Sequence, residues 1–481
     1  MELRPVLMIT GALTATLGCS MFLPAIADAM VGHPDWMVFV SAGLITSFVG
    51  AGVWTASSGG EQTMNARQAF LLTATLWIVL AFFAALPLYF SELSLSFTDA
   101  YFEAMSGLTT TGSTVITGLD VAPPGILLWR GLLQWFGGLG IVVMAIAVLP
   151  MLQIGGMQMF KAEAFDTPEK ILPRAAQIAG TMTAIYLVLT GVCAAAYWAA
   201  GMGLFDAVVH AMTTVATGGY STHDASIGHY DSGPIDYVGV TFMILGSLPF
   251  LLYIRATQGS LMPLFRDSQV RAFLGIVAVA TLVLFYIQLT NTEHTGEPAF
   301  RQALFNSVSV ITGTGYATED YDNWGHHAIA LMFVLTFLGG CAGSTSCGIK
   351  TFRLQVLYIE LRQHVRQILF PSGVFVRRYN GRVLPDSVAA SVMSFVFVYF
   401  VAFFLLALAL SLTGLNPLES LSGAATSISN VGPGLGERIG PAGTFQSVND
   451  TAKWILTAGM LLGRLELFTV LVVFMPRFWR A

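Results

Sequence analysis

Thr109-Thr110-Thr111-Gly112-Ser113, Ala216-Thr217-Gly218-Gly219-Tyr220, Thr312-Gly313-Thr314-Gly315-Tyr316 and Ser429-Asn430-Val431-Gly432-Pro433 are four short glycine turns in one chain of 481 residues. Each closes a segment of the same length. Phe97-Thr98-Asp99-Ala100 runs fifteen residues to Gly112, Leu204-Phe205-Asp206-Ala207 fifteen to Gly219, Phe300-Arg301-Gln302-Ala303 fifteen to Gly315, and Pro417-Leu418-Glu419-Ser420 fifteen to Gly432. The turn glycines are spaced 107, 96 and 117 residues apart, so one unit occurs four times. Each segment lies between long apolar stretches and is too short to cross a bilayer, which takes about 20 helical residues. It reads as a re-entrant hairpin made of a half-helix and a turn. A second register agrees, because Phe136-Gly137-Gly138, Leu245-Gly246-Ser247, Leu338-Gly339-Gly340 and Leu462-Gly463-Arg464 lie 24 to 31 residues past the turn glycines.

Working outward, 55% of the residues are apolar and 10% charged, with mean hydropathy +0.71. Soluble domains carry about a quarter charged residues, so a water-soluble enzyme is excluded. Net charge is −5 and no Lys/Arg run is present, which sets nucleic acid aside. Ten stretches read as spans: 5–27, 36–60, 69–90, 131–152, 179–203, 237–254, 272–292, 328–349, 387–413 and 454–476. The first has the Arg4-led apolar run of a signal peptide, but its length and two prolines favour a span. Of the 22 Lys and Arg, 17 fall on the face holding 61–67, 161–174, 255–271 and 350–382, which is expected to be cytoplasmic. Eighteen of the 27 acids fall on the other face, so the outer mouth is negative. Cys19, Cys193, Cys341 and Cys347 lie in apolar segments and read as small packing residues. The histidines 210, 223, 229, 326 and 327 lack the paired spacing of a metal site, so zinc is not expected.

The predicted architecture is an all-α polytopic membrane protein with four span, pore-helix and span repeats around a central pore, plus two N-terminal transmembrane helices. The expected divisions are 1–66 for the two-helix region and 67–160, 161–260, 261–370 and 371–481 for the repeats, the third with a broken second helix. Non-helical backbone at membrane depth is tolerated where it is buried or lines a wet cavity, and rings of carbonyls replace a cation's water there. The candidate cation-binding residues are Thr110, Thr111, Gly112, Thr217, Gly218, Gly219, Gly313, Thr314, Gly315, Asn430, Val431 and Gly432. Gly219 is preferred to Gly218 on register. Asp99, Asp206 and Glu419 fall in the first turns of the half-helices, where carboxylates complement the dipole. Tyr220 and Tyr316 are expected to brace the loops.

These loops, together with Gly339-Gly340-Cys341-Ala342-Gly343-Ser344-Thr345-Ser346-Cys347-Gly348, resemble the Trk/Ktr/HKT superfamily of potassium transporters over nearly the whole chain, most closely its TrkH-type membrane subunit. Thr314-Gly315-Tyr316 partly resembles the potassium-channel TVGYG loop, though no copy is complete. The resemblance implies K+ as the transported ion, no other cofactor, one filter glycine per repeat at Gly112, Gly219, Gly315 and Gly432, a homodimer, and a cytosolic nucleotide-binding regulatory subunit of the TrkA type. It places the chain in the bacterial cytoplasmic membrane with the filter mouth outside. The first loop carries glycine where sodium-preferring relatives carry serine, which favours potassium.

A helix does not readily hold Gly339, Gly340, Gly343, Ser344, Ser346 and Gly348 within ten residues, since each Gly costs roughly 1 kcal/mol relative to Ala. The span is expected to break here, and the resemblance makes the break an intramembrane gating loop; close helix packing is the alternative. Arg464 shares the register of Gly138, Ser247 and Gly340, which directs it toward the axis. An intramembrane Arg suggests function, here a barrier below the filter, or else a structural pair with Glu466. Lys350 and Arg353 are gating contacts or interfacial anchors. The basic stretch 350–386 is either a docking face or a consequence of topology. The rival to a gated pore is an alternating-access symporter coupling K+ to H+ or Na+, for which only Arg464 and Glu466 are candidate buried titratable groups. An intramembrane enzyme lacks a nucleophile beside a base.

Overall fold

The computed structural model describes residues 2–59, 64–147, 171–257, 259–260, 262–293 and 295–480. The basic stretch 161–174 lies outside these residues up to 170, as do the expected end of the first repeat at 160, the end of the span 131–152, and 61–63. The described residues are mainly helical, and among them seven helices are long and apolar enough to cross a membrane, or up to nine if two bent pairs are each one span. It is an all-α, multi-pass membrane protein.

An N-terminal pair leads. Helices α1 (Arg4–Ser20) and α2 (Phe22–Val31) form one span that packs along α3 (Trp36–Ser57). Their seam uses missing side chains. A Cβ on Gly11 would sit 2.6 Å from the Trp54 nitrogen, one on Gly18 would meet Ser47, and one on Gly50 would fall on Ala15 backbone. Lipid supplies no hydrophobic drive between helices, so small residues that let backbones approach provide the packing.

Four segments follow the same plan. In the first, α4 (Ala66–Phe90) leads to short α5 (Phe97–Leu108) and then α6 (Pro124–Ala147). In the second, α7 (Ile171–Ala199), short α8 (Leu204–Val215) and α9 (Gly233–Gly246) are followed by α10 (Phe250–Thr257). After α11 (Met262–Arg266), the third has α12 (Ser268–Asn291), α13 (Gly296–Thr312) and α14 (His326–Thr336). Helix α15 (Thr351–Leu369) joins it to the fourth, which has α16 (Asp386–Ser411), short α17 (Pro417–Ser429), α18 (Asp450–Arg464) and α19 (Phe468–Phe474). Two of the short helices, α5 and α17, start on side-chain caps. Ser96 Oγ accepts from Asp99 N at 3.1 Å, and Asn416 and Glu419 form a reciprocal capping box.

Two expected straight spans are corrected. The stretch 237–254 bends by 91° between α9 and α10, where Pro249 offers no N–H to continue the helix. The stretch 454–476 bends by 110° between α18 and α19, with Glu466 and Leu467 at φ 59° and 38°. The stretch 328–349 stays helical only to Thr336. Beyond it β1 (Leu338–Gly339) pairs in parallel with β2 (Ile349–Lys350), closing residues 340–348 into a loop.

Gly50→Val should cost about 1–3 kcal/mol through overpacking and lower the melting temperature in detergent. Gly52→Val, on the same helix with nothing within 4 Å of its Cβ position, should leave the melt within error. Equal losses in both variants would refute the seam.

Candidate functional site

The four short helices end at residues 108, 215, 312 and 429, and their turns meet one another. Thr110, Thr217, Gly313 and Asn430, each two residues before a turn glycine, take left-handed backbone at φ 51°, 51°, 79° and 54°. A threonine costs about 1–2 kcal/mol in that region, so the same left-handed bend recurs in all four copies, strained at Thr110 and Thr217 and free of strain at Gly313. Gly112, Gly219 and Gly315 follow at φ 87°, 80° and 82°. Gly219, and not Gly218, therefore has the backbone of Gly112 and Gly315.

The glycines are also packed into a closed ring. A Cβ on Gly112 would fall on the Gly218 carbonyl oxygen, and one on Gly219 on the Thr314 carbonyl oxygen. One on Gly315 would lie 2.6 Å from the Gly432 nitrogen, and one on Gly432 would lie 3.2 Å from the Gly112 carbonyl carbon. Each copy thus fills the missing side chain of the one before it. Thr111 and Val431 lie in the same turns. Asn430 Nδ2 donates to Thr111 Oγ1 at 3.0 Å and to Met460 O at 2.8 Å, while Thr314 Oγ1 is 2.7 Å from Thr312 Oγ1.

In three copies the residue after the glycine ties the ring together. Ser113 Oγ donates to Gly432 O at 2.7 Å. Tyr220 Oη donates to Glu103 O at 2.9 Å and Ser113 O at 3.2 Å, and Tyr316 Oη is 2.5 Å from Thr213 Oγ1. Both tyrosines brace their loops against the preceding copy. Behind them, Arg130 Nε donates to Glu103 at 2.8 Å with both side chains buried. Arg130 also donates to Ser221 O at 2.8 Å, with its guanidinium 4.1 Å from the Tyr220 ring centroid. Gln134 donates to Gly218 O at 2.6 Å and accepts from Tyr220 N at 3.0 Å. Sequence reasoning missed Glu103, Arg130 and Gln134. The available clue was Glu103 itself, an acid in the middle of a re-entrant helix and too far along for capping.

The second glycine register also has a structural meaning. Cβ atoms on Gly137, Gly246 and Gly463 would meet the carbonyl oxygens of Leu108, Val215 and Ile428, four residues before the respective turn glycines. The third copy departs from this, since a Cβ on Gly339 would meet Cys347 O. Loop 340–348 here reaches under the turns. Cys347 Sγ lies 3.8 Å from Thr110 Oγ1, and Thr345 Oγ1 lies 3.2 Å from Thr217 Oγ1 while donating to Gly246 O at 2.9 Å. Gly340 N donates to Ser346 Oγ at 2.8 Å, and Ser344 Oγ to Cys341 O at 2.6 Å. Gly343 and Gly348 supply φ 73° and 71° at its bends.

Arg464 is buried at the end of α18. It donates to Cys347 Sγ at 2.6 Å and to Gly137 O at 2.8 Å. Cys347 is therefore a polar partner and not merely a packing residue. Glu466 pairs with Arg353, so the alternative of a structural Arg464–Glu466 pair does not form. Lys350 donates to Ser346 O, and both Lys350 and Arg353 are buried, which removes them as interfacial anchors. Cys347, Lys350, Arg353, Arg464 and Glu466 help line a narrow crevice beneath the loop.

On the other side, an open-mouthed cavity is lined by Gly112, Gly219, Gly315 and Gly432 and by rim residues that include His223 and Asp224. Asp99 pairs with Lys453 at 2.6 Å, and Asp206 accepts from Thr222 at 2.8 Å, so these acids do more than cap helices. Burial pushes the Asp322 carboxyl up, although it accepts from Gly436 N. His223 and His229 stack at the rim with centroids 3.6 Å apart, beside Asp120. The His223 hydrogen bond holds the Asp120 carboxyl below its ordinary range. The histidines are thus gathered where their sequence spacing suggested no group.

The sequence profile of the TrkH family, described as cation transport proteins, matches residues 35–481. The chain is 44% identical to the Trk system potassium uptake protein TrkI of Halomonas elongata, over 99% of this chain and 97% of that one. It is 37% identical to the Trk system potassium uptake protein TrkH of Escherichia coli, over the whole of both. The crystal structure of the potassium transporter TrkH from Vibrio parahaemolyticus superposes with a TM-score of 0.92 at 38% identity, covering both chains completely.

Removing one partner of a buried ion pair costs about 3–5 kcal/mol, because the other charge is stranded. Glu103→Ala and Arg130→Ala should each lower stability in detergent on that scale, and the double variant should lose clearly less than the sum. Additive losses in the denaturation midpoints would show that the pair does not act as a unit.

Proposed function

The chain belongs to the TrkH family of cation transport proteins, and from that premise we propose that it takes up potassium through a pore whose selectivity filter is the ring of Gly112, Gly219, Gly315 and Gly432 with the turn residues before them. The observation that carries this reading is the closed glycine ring. Four turns that each tuck a glycine against the next turn's backbone leave no side chains at the centre, so peptide carbonyls are the groups available to replace an ion's water. The short helices support it, since their C-terminal ends carry partial negative charge toward the same point.

In this reading residues 340–348 are the gate. They lie directly under Thr110, Thr217 and Gly313, where a permeating ion must pass, and hydrogen bonds to Gly246 and Ser247 hold them there. Arg464 adds a positive charge at the same level and is anchored to the loop through Cys347. Opening requires that these contacts break together. The acidic rim faces outward from the bacterial cytoplasmic membrane, and the basic side faces the cytoplasm. Helix α15 presents Arg362 and Arg366 beside exposed Tyr358, Leu361 and Ile368. It continues from the loop, which suits a docking face for a nucleotide-binding regulatory subunit in an assembly built on a dimer of this chain. The relatives' naming as parts of a Trk system supports a multi-component arrangement.

The test is voltage-driven Rb+ uptake into liposomes without a pH or Na+ gradient. Arg464→Ala should raise uptake about tenfold, equivalent to about 1.4 kcal/mol off the barrier. Gly315→Ala should abolish uptake, and Gly140→Ala, whose Cβ has open space, should match the parent. Uptake that needs an imposed H+ or Na+ gradient would replace the pore with a coupled carrier. Unchanged uptake by folded Arg464→Ala would remove the barrier role.

A further inference from the structure

We propose that Asp120, His223 and His229 form a binding site for a zinc-class divalent transition metal at the rim of the pore mouth, and that an ion bound there throttles cation entry. His223 Nδ1 lies 2.6 Å and His229 Nδ1 3.7 Å from the same Asp120 oxygen. One ligand atom from each of the three residues falls within 4.8 Å of the others. A tetrahedral metal with bonds of about 2.0–2.2 Å needs its ligand atoms about 3.3 Å apart, so shifts of up to about 1.5 Å are required, with the stacked imidazoles turned out of parallel so that both lone pairs meet one ion. Asp120 and His229 are nearly half exposed and free to make them, while the fourth position faces solvent.

The surroundings supply what a metal-binding histidine requires. Such a histidine usually turns its other ring nitrogen to a carboxylate, which sets the tautomer. His223 Nε2 faces Asp206 at 3.6 Å, and Asp206 is itself fixed by Thr222. In the free site the Nδ1 proton bonds Asp120; a metal displaces it, the remaining ring proton then sits on Nε2 toward Asp206, and the Nδ1 lone pair faces the ion beside Asp120. Asp224 accepts from the backbone nitrogens of Gly118 and Leu119 at 2.9 and 3.1 Å, which anchors the turn that presents Asp120. The Tyr230 ring stands edge-on to both histidines, with centroids 5.4 and 5.2 Å away. Two imidazoles and one carboxylate suit zinc, cobalt or nickel and not the oxygen-seeking Ca2+ or Mg2+.

The location gives the site its consequence. Asp120 comes from the first copy and the histidines from the second, so a bound ion would staple two outer loops together. His223 lines the same cavity as the four turn glycines. A dication there replaces negative charge at the mouth with positive charge and opposes cations that approach the ring.

The experiment adds ZnCl2 to the rim side of liposomes holding the full chain, and separately titrates CoCl2 into purified protein while following its visible absorption. Zinc should inhibit Rb+ uptake where equal MgCl2 does not. His229→Ala should raise the half-inhibiting zinc concentration by about tenfold or more and remove the cobalt absorption, with uptake in the absence of metal unchanged. His326→Ala, outside the cluster, should behave as the parent. Equal inhibition by Mg2+, an unshifted response in His229→Ala, or no cobalt absorption in the parent protein would each overturn the site. Cobalt absorption without any effect of zinc on uptake would overturn the throttle.

Discussion

Four backbone turns converge where there is no room for a β-carbon, and the rest of the structure depends on that contact. The Gly112 vacancy is filled by the second copy, that of Gly219 by the third, that of Gly315 by the fourth, and Gly432 closes back on the first. Such a ring has little adhesive energy of its own. Its geometry must be imposed from outside, and the strained residues at φ near 50° show that it is. Tyr220, Tyr316 and Ser113 hold each turn to its neighbour, and the Glu103–Arg130 pair fixes the layer behind them. A buried pair of this kind is poor evidence for net stability, but it suits a role in holding one geometry.

The symmetry of the ring is broken below it, and the break is local. Three copies pack a span glycine against the end of their own short helix; the third gives that place to loop 340–348. The fourth contributes Arg464, which fastens the loop from the opposite side. Just beyond, the turn at Glu466 and Leu467 carries the Arg353 pair, which ties the end of the chain to helix α15 emerging from the loop. A movement of α15 on the basic face is thereby connected to the loop and to Arg464 through two buried cations and one thiol. That continuity is what a regulatory contact on this face would act upon.

Much of this was legible in the sequence because the ring imposes the same backbone demand four times. The fifteen-residue spacing chose Gly219 over Gly218, and the backbone angles agree. The broken third span was visible as a run of residues that resist a helix. Less was visible wherever a partner is distant in the chain. The sequence offered neighbouring Arg464 as one partner for Glu466, yet the partner is Arg353, 113 residues away. The bend after Arg464 has neither proline nor glycine within it, so local propensity gave no warning, whereas Pro249 was a readable mark for the bend at 247–249. The histidine cluster was hidden for the same reason as the ion pair, since Asp120 reaches His223 across 103 residues.

The central claim is that the ring of glycine turns is where the cation sits. The most direct measurement is the position of Rb+ anomalous density in crystals of this chain grown with rubidium replacing potassium. A peak on the axis among the carbonyls of Gly112, Gly219, Gly315 and Gly432 and the residues before them is the result this account predicts. Ordered rubidium elsewhere among the spans, with none at the ring, would contradict it.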